Sequence, residues 1–229
     1  MGDMGTFRRA RSEEQRQIRR QAILDTTAAM LEAMPVNELS LNQLSRRVGL
    51  AKSNVLRYFE SREAILLELL DRATQRWLTE VAEQLPAKID PHGTARQRGD
   101  QLAAALAHSL TPHRVLCDLL SAQAGVLEHN VSAEVAARHK RASIDNFTGL
   151  AEQVRRHVPE LGDDGWKVCG MAAVFVGALW THARPSASMR AAYDADPALA
   201  AMRMEFPVAL EETLATLIAG TLARTAAAR

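Results

Sequence analysis

Apolar residues recur at spacings of three and four along nearly the whole chain, and this periodicity restricts the fold more than any other feature. In residues 61–84, for example, it aligns Ile65, Leu69, Ala73 and Trp77. Such spacing places apolar side chains on one face of an α-helix. The alternation typical of strands is nearly absent, and Gly and Pro lie mostly between the periodic segments. The sequence therefore predicts an all-α fold of roughly nine or ten helices and no sheet.

Chain length and composition set further limits. With 229 residues, 47% of them hydrophobic, the chain is long enough to bury a sizeable core. No stretch approaches the roughly 20 uninterrupted apolar residues of a membrane span, and no apolar run follows the N-terminal arginines as in a signal peptide. We therefore expect a cytoplasmic protein without a membrane partner. Cys117 and Cys169 are too few for a disulfide framework and are predicted to be small buried hydrophobes, with redox sensing as the alternative.

The charge is distributed unevenly, although the net value is only +1. Residues 1–62 contain 11 Lys and Arg against 7 Asp and Glu, a balance of +4, whereas residues 63–229 contain 17 against 20, a balance of −3. Any surface that faces a polyanion is therefore expected near the N-terminus. Because the excess is modest, it separates a nucleic-acid-binding protein from an ordinary domain only weakly.

The N-terminal sequence contains signals for three helices. The first is predicted to begin at a capping box that opens with Ser12 and to end before Pro35, which leaves residues 1–11 as a basic arm. A second capping box, Ser40 with Gln43, opens a short helix that stops at Gly49. The third helix is predicted over Lys52–Phe59, and Ser61 then caps a long helix that ends before Pro86.

Two short helices joined by a turn, with a longer helix packed across them, form a helix-turn-helix. Small helical bundles with a glycine turn give the same pattern, so periodicity alone leaves DNA binding undecided. The residues are more specific. The segments LSLNQLSRRVGL at 39–50 and KSNVLRYFESREAIL at 52–66, preceded by Ile23-Leu24-Asp25 and Ala28, closely resemble the N-terminal domain of TetR-family repressors.

The resemblance implies an all-helical homodimer that binds double-stranded DNA. In this chain residues 12–60 correspond to a three-helix DNA-binding domain with a helix-turn-helix, which recognises a palindromic operator. Residues 61–229 correspond to a larger helical domain that dimerises and binds a small-molecule effector. A ligand-responsive repressor is therefore expected, whose effector moves the long helix after Ser61 and so alters the separation of the two recognition helices.

Base contacts are expected from the recognition helix. A helix of about eight residues spans only about 12 Å, so its first turn and exposed face must supply them. Lys52, Ser53, Asn54 and Arg57 occupy these positions. Asn54 is suited to pair with adenine and Arg57 with guanine, although a solvated helix face is the alternative interpretation.

Phosphate contacts are expected at the edges of the same element. The resemblance assigns them to Tyr58 and to Arg62, whereas Ser40 has a double interpretation as N-cap and phosphate ligand. The basic arm is predicted either to reach the minor groove or phosphates, or to be a solubilising tail. Its arginines are Arg8, Arg9 and Arg11.

A dimer is expected because one short helix reads too few base pairs for genomic specificity. By similarity to the family, helices Asp164–His182 and Pro207–Ala223 pack with their symmetry mates as a four-helix bundle. The candidate interface residues, for which the alternative is intrachain core, are Phe175, Leu179, Leu210, Leu214 and Leu217.

An effector site is expected to be a mostly apolar cavity between helices. The candidate lining residues, each of which alone is more often core or surface, are Trp77, His113, Cys117, Phe147, Trp166, Met171 and Trp180. His113 and Cys117 lie four residues apart on one helix face, but no third metal ligand is evident, so no metal or other cofactor is predicted.

Enzymatic function is not expected. The sequence contains no Gly-x-Gly-x-x-Gly, Gly-rich phosphate loop, Gly-x-Ser-x-Gly or His-Glu-x-x-His motif. A helical interaction or scaffold protein without DNA binding is the remaining alternative. It accounts for the helices but leaves the polar residues between Lys52 and Arg57 unexplained.

Overall fold

A computed structural model describes the backbone of residues 4–227 and the side chains of residues 13–227. All regular elements in this part of the chain are helical, as predicted. The α-helices are α1 (Met4–Leu31), α2 (Leu41–Val48), α3 (Lys52–Val55), α4 (Arg62–Lys88), α5 (Ala95–Ser109), α6 (Arg114–Ala122), α7 (Ala133–His157), α8 (Asp164–His182), α9 (Ala187–Ala195), α10 (Pro197–Ala200) and α11 (Phe206–Ala227).

Helices α1 to α3 pack around a small core with the start of α4. Ile23, Leu44, Val55 and Ile65 are fully buried in it. The predicted capping box at the start of α2 is confirmed, since the Ser40 hydroxyl accepts from the backbone N–H of Gln43 while the Gln43 side chain accepts from the backbone N–H of Ser40. These two bonds satisfy N–H groups that have no partner inside the helix.

Gly49 ends α2 in the left-handed conformation, with φ 73° and ψ 29°. Residues with a Cβ adopt this region at a cost, so the predicted glycine C-cap is confirmed. The N–H of Leu50 then donates to the carbonyl of Ser45 at 3.0 Å, which closes the turn and directs the chain into α3.

The start of α1 differs from the prediction. The described backbone is helical from Met4, so Ser12 does not open the helix and residues 4–11 continue it. The predicted arm is therefore wrong as a separate segment preceding the helix. The side chains of Arg8, Arg9 and Arg11 lie outside the described residues, and their contact with DNA stays a prediction.

Two further boundaries were predicted wrongly. The α-helical part of the third helix is Lys52–Val55, and hydrogen-bonded turns continue it to Phe59. Helix α4 does not stop before Pro86 but includes it and ends at Lys88. A proline in the last turn removes only one hydrogen bond of the ladder, and the N–H of Ile89 still donates to Leu85 at 3.2 Å.

The C-terminal domain is built around α4, which passes from the first domain into the second. Helix α5 packs along α11, α6 packs along α8, and α7 packs along α4 and α8. A π-helical turn, Gln123–Leu127, follows α6, and the short helices α9 and α10 lie between α8 and α11. Ser186 and Asp196 cap these two short helices, and that local signal was missed.

Helices α6 and α8 approach each other closely at Gly177 of α8. A Cβ at this position would lie 2.9 Å from the carbonyl oxygen of Leu120 in α6. The backbone of α8 therefore lies directly against that of α6, and this contact fixes one wall of the domain interior.

Both cysteines are buried, as predicted. Cys117 and Cys169 are free thiols with 0% and 2% exposure. Burial raises the pKa of each thiol to about 12. Because the thiolate is the reactive form, this environment disfavours the alternative of redox sensing.

Candidate functional site

Four polar side chains project from the recognition segment, which comprises α3 and its following turn up to Phe59. Lys52, Ser53, Asn54 and Arg57 are all exposed. None of the residues whose side chains the structure describes forms a hydrogen bond or ion pair with these four side chains. They are the sequence-predicted base-contact residues, and the structure leaves their donors and acceptors available for a ligand.

The buried side of the recognition segment packs against the core of the DNA-binding domain. Val55 is fully buried and Phe59 is 4% exposed, so one side of the segment packs into the core. Arg20 of α1 donates to the carbonyl of Tyr58 at 2.5 Å, forms an ion pair with Glu68 of α4, and lies 4.0 Å above the ring of Phe59. The end of the segment is therefore tied to both α1 and α4.

Sequence reasoning missed Arg20. No local signal distinguishes it from Arg16 or Arg19, because its partners Tyr58 and Glu68 follow it by 38 and 48 residues. Its role depends on the rotation of α1 about its own axis, which brings one arginine over Phe59 and leaves its neighbours in solvent.

The three predicted phosphate-contact residues differ in their surroundings. Ser40 is exposed, but its hydroxyl is engaged in the α2 capping box. Tyr58 is half-buried between the two domains. The phosphate contacts of Ser40 and Tyr58 stay predictions.

Arg62 requires a correction. Its Nε donates to the carbonyl of Leu39 at 2.5 Å, one terminal nitrogen donates to the carbonyl of Val36, and the other pairs with Glu63 at 2.9 Å. Only 17% of the side chain is exposed. All three guanidinium nitrogens therefore bind protein, and Arg62 holds the turn that enters α2 rather than pointing toward a phosphate.

A second connection joins the DNA-binding domain to α7. The carboxylate of Glu60, directly after the recognition segment, accepts from the backbone N–H of Ser132 at 2.6 Å. This hydrogen bond lowers the pKa of Glu60. Ser132 is the N-cap of α7, so the recognition segment is linked to the C-terminal domain through α7 as well as through the continuous helix α4.

The C-terminal domain contains a mainly apolar, partly open cavity with a free volume of about 70 Å³. Six helices contribute to its wall. One apolar lining residue from each, in the order α4, α5, α6, α7, α8 and α11, is Leu70, Leu106, Leu116, Leu150, Val176 and Leu214. An apolar cavity between helices was predicted, and it lies against α4, the helix that continues to the DNA-binding domain.

Two of the seven predicted cavity residues, Trp77 and Phe147, line this cavity. His113 instead lies in grooves beside α4, with its Nε2 3.0 Å from a carboxylate oxygen of Glu80. Cys117 is buried outside the cavity lining, and its sulfur lies 3.8 Å from the carbonyl oxygen of Leu110.

The other three predicted residues are on α8 but outside the cavity. Trp166 and Met171 are 44% and 45% exposed, because Cys169, Ala172 and Val176 form the inward face of this helix. Trp180 lies near the end of α8 and donates to Asp118 at 2.5 Å. Their predicted role in the cavity is therefore wrong, since it depends on helix rotation that residue type does not reveal.

The polar residues of the cavity were missed. His139 of α7 is 3% exposed, and its Nδ1 lies 2.8 Å from the Asp71 carboxylate of α4. Burial raises the pKa of Asp71, while the hydrogen bond with His139 opposes that shift. Asn146 lies about two turns further along the same face of α7. It also lines the cavity and is 6% exposed. Asp71, His139 and Asn146 therefore form a small polar region in the wall of a mainly apolar cavity.

The predicted dimer residues divide into two groups. Leu210 and Leu214 are 0% and 2% exposed, because this face of α11 packs inside the chain. They belong to the core, so their assignment to the interface is corrected. Phe175, Leu179 and Leu217 are half-buried and border the outer face of α8 and α11.

The outer faces of α8 and α11 expose large apolar side chains. Val174 and Val208 are 63% and 64% exposed, with Met171 nearby on α8. By length and composition α11 would suffice to cross a membrane, and 28% of its most apolar stretch is buried inside the chain. A single helix of this kind is weak evidence for a membrane protein.

Comparison with known families covers most of the chain. A family model described as "Tetracyclin repressor-like, C-terminal domain" matches residues 71–225. A second, described as "Bacterial regulatory proteins, tetR family", matches residues 23–69. The second match contains the helix-turn-helix, and the first contains all of the cavity lining except Leu70, helices α5 to α10 and nearly all of α11.

Curated relatives match mainly at the N-terminus. The HTH-type transcriptional regulator EthR of Mycobacterium tuberculosis is 38% identical over 55 residues, which are 24% of this chain and 26% of EthR. An uncharacterized HTH-type transcriptional regulator of Xanthobacter autotrophicus is 32% identical over 95 residues, 41% of this chain. The chain spans about half the length of that relative (47%).

Solved structures show the same fold at low identity. A transcriptional regulator of Pseudomonas aeruginosa PAO1 aligns with a TM-score of 0.52 and 17% identity over 90% of this chain and 91% of its own. A TetR-family regulator of Mesorhizobium loti aligns with a TM-score of 0.51 and 13% identity over 91% of this chain and 96% of its own. These structures share the fold of the chain. The two family models show that the chain belongs to the TetR family of transcriptional regulators, which are not enzymes, and that it has an N-terminal helix-turn-helix DNA-binding domain.

Proposed function

We propose that the chain is a cytoplasmic, ligand-responsive repressor that binds a palindromic operator as a homodimer and releases it when a small effector enters the cavity. The single observation that best supports this is the recognition segment. It presents exposed polar side chains without described partners on a rigidly held turn.

The chemistry of the segment suits the major groove. Asn54 can donate to and accept from adenine, and Arg57 can donate twice to guanine, as both residue types do in other DNA-binding proteins. Lys52 and Ser53 stand at the start of the segment, where base edges and the phosphate backbone come within reach. Tyr58 and Ser40 flank this surface and supply contacts that position the helix without reading sequence.

Homodimerisation is proposed to occur through the outer faces of α8 and α11. Large apolar side chains that are exposed on neighbouring helices are typical of a protein interface. The surface would include the exposed Val174 and Val208 together with the half-buried Phe175, Leu179 and Leu217. The two-fold symmetry of such a dimer matches the two-fold symmetry of a palindrome.

Replacing Val174 by glutamate is expected to weaken self-association by about 100-fold or more, because the symmetric interface would bury two unpaired carboxylates. Sedimentation velocity at micromolar concentration measures the change from dimer to monomer. The matched control is Ile144→Glu, an apolar residue of α7 that is 53% exposed and belongs to neither α8 nor α11. A Val174→Glu protein that remains dimeric would place the interface elsewhere.

Effector response is proposed to pass through both α4 and α7. Trp77 and Asp71 of α4 and Asn146 of α7 line the cavity. Toward the DNA-binding domain, α4 is continuous with the recognition segment through residues 59–62, and α7 reaches it through the Ser132–Glu60 hydrogen bond. An effector that prefers a wider spacing of these helices would change the position of the recognition segments.

A salt titration tests the proposed function. The chain is expected to bind duplex DNA at low salt with an affinity that falls steeply with ionic strength, and to prefer a palindromic sequence obtained by selection from random DNA. Fluorescence anisotropy of labelled duplexes measures both properties. Absence of binding at low salt would instead favour the helical scaffold alternative.

A further inference from the structure

We infer that the effector is a small, electrically neutral, mainly apolar molecule with one hydrogen-bonding group, such as a ketone, amide or alcohol, that is bound by Asn146. This inference rests on the proposed effector response and adds the chemical class of the ligand. Three properties of the cavity support it: an unpaired amide, the absence of an unpaired charge, and the small volume.

The amide of Asn146 is notable because it lines the cavity without a hydrogen-bond partner among the described side chains. The residue is 6% exposed and lines the cavity. Its side chain forms no hydrogen bond with any residue whose side chain the structure describes. An amide that lines an apolar cavity without a protein partner is available to form a hydrogen bond with a ligand. A carboxamide both donates and accepts, so it can pair with a carbonyl, an amide or a hydroxyl.

The cavity offers no unpaired charge to an ionic ligand. No lysine or arginine is among its lining residues. Its charged side chain, Asp71, is already paired with His139 at 2.8 Å. A carboxylate or an ammonium group would lose its hydration here without gaining a counter-ion, which costs several kcal/mol in a protein interior. A neutral ligand avoids that cost.

The size of the cavity limits the ligand and suggests how it acts. The free volume of about 70 Å³ is roughly half of the about 150 Å³ of an apolar cavity that admits benzene. A six-membered ring therefore fits only if the lining helices separate slightly. The Asp71–His139 pair joins α4 to α7 at the wall nearest the DNA-binding domain, so both helices that reach that domain are displaced together.

The stability of an Asn146→Leu variant separates a ligand-binding role from a structural one. Leucine has nearly the same volume but no polar atom, so removing an unpaired amide is expected to raise the melting temperature of the ligand-free protein. A structural hydrogen bond at Asn146 would produce the opposite shift. Asn130→Leu, at an exposed position before α7, is the matched control and is expected to change neither stability nor ligand binding.

The binding test uses four probes of similar shape with the full-length protein: cyclohexanone, methylcyclohexane, cyclohexylammonium and cyclohexanecarboxylate. Ligand-detected NMR titration is expected to show that cyclohexanone binds about tenfold tighter than methylcyclohexane, and that neither ion binds detectably. The tenfold preference corresponds to one hydrogen bond to the amide. It is expected to disappear in Asn146→Leu and to persist in Asn130→Leu.

Several results would overturn the inference while leaving operator binding intact. These are tighter binding of either ion, an undiminished ketone preference in Asn146→Leu, a lower melting temperature of that variant, or failure of all four probes to bind. Conversely, a protein that binds cyclohexanone through Asn146 but never binds DNA would contradict the proposed function and leave the ligand class standing. The two failures are therefore distinguishable.

Discussion

An Arg57→Ala dimer is expected to bind its operator at least about 30-fold more weakly than the wild-type protein. A bidentate arginine–guanine contact is worth about 1–3 kcal/mol, and a symmetric dimer loses two of them. Two such losses amount to about 2 kcal/mol or more, and each 1.4 kcal/mol is a tenfold change in affinity. Because Arg57 is exposed and has no described partner, the melting temperature is expected to stay unchanged.

The measurement compares operator and scrambled duplexes by fluorescence anisotropy across a range of salt concentrations. A base contact is expected to affect the operator far more than the scrambled duplex, whereas a phosphate contact would weaken both about equally. Arg155→Ala is the matched control, since it removes the same charge from an exposed position on α7, distant from the recognition segment. Equal losses in both variants would mean that net charge, rather than a base contact, explains the effect.

The sequence predicts the helix-turn-helix well because its determinants are local. The Ser40–Gln43 capping box and the Ser61 cap involve atoms three residues apart, and the Gly49 turn depends on the conformation of a single residue. Such signals can be recognised from a few neighbouring residues, because they do not depend on the rest of the fold. The fold class follows from the same kind of short-range periodicity.

The cavity could not be predicted in the same way. Its polar pair joins Asp71 and His139 across 68 residues, and its unpaired amide at Asn146 is unremarkable in the sequence. Which face of α8 points inward is decided by a rotation of the helix that places Cys169 inside and Met171 outside. Large or reactive side chains were favoured as candidates, but cavities are lined mostly by ordinary aliphatic residues.

The residues of the proposed dimer interface and the partners of Arg57 and Arg62 also depend on tertiary packing that the sequence does not reveal. On α11, Leu214 and Leu217 are equally apolar, and only the neighbouring helices decide that Leu214 is buried and Leu217 is half-buried. Arg57 and Arg62 are both basic residues in the family motif, yet one side chain lies in solvent and the other binds three protein groups. A motif supplies residue types, whereas tertiary packing assigns their partners.

Replacing Arg62 by alanine is expected to lower the free energy of unfolding by about 2–4 kcal/mol. Hydrogen bonds from a charged donor are worth about 1.5–3 kcal/mol each, and Arg62 makes them to the carbonyls of Leu39 and Val36. Their loss is expected to free the turn before α2 and to weaken binding to operator and scrambled duplexes alike, because the helix-turn-helix loses its fixed geometry. Denaturant unfolding measures the stability, and anisotropy measures the binding.

The Arg62→Lys variant distinguishes this role from a phosphate contact. Lysine retains the positive charge, so a phosphate-binding residue would keep most of its function and its contribution to the salt dependence. Lysine lacks the planar fork with which Arg62 donates to two carbonyls and Glu63 at once, so most of the stability loss is expected to remain. If lysine restored both stability and operator binding, Arg62 would act mainly as a charge. Persistent destabilisation in both variants would instead mean that this arginine acts on DNA indirectly, by fixing the entry to α2 and hence the orientation of the recognition segment.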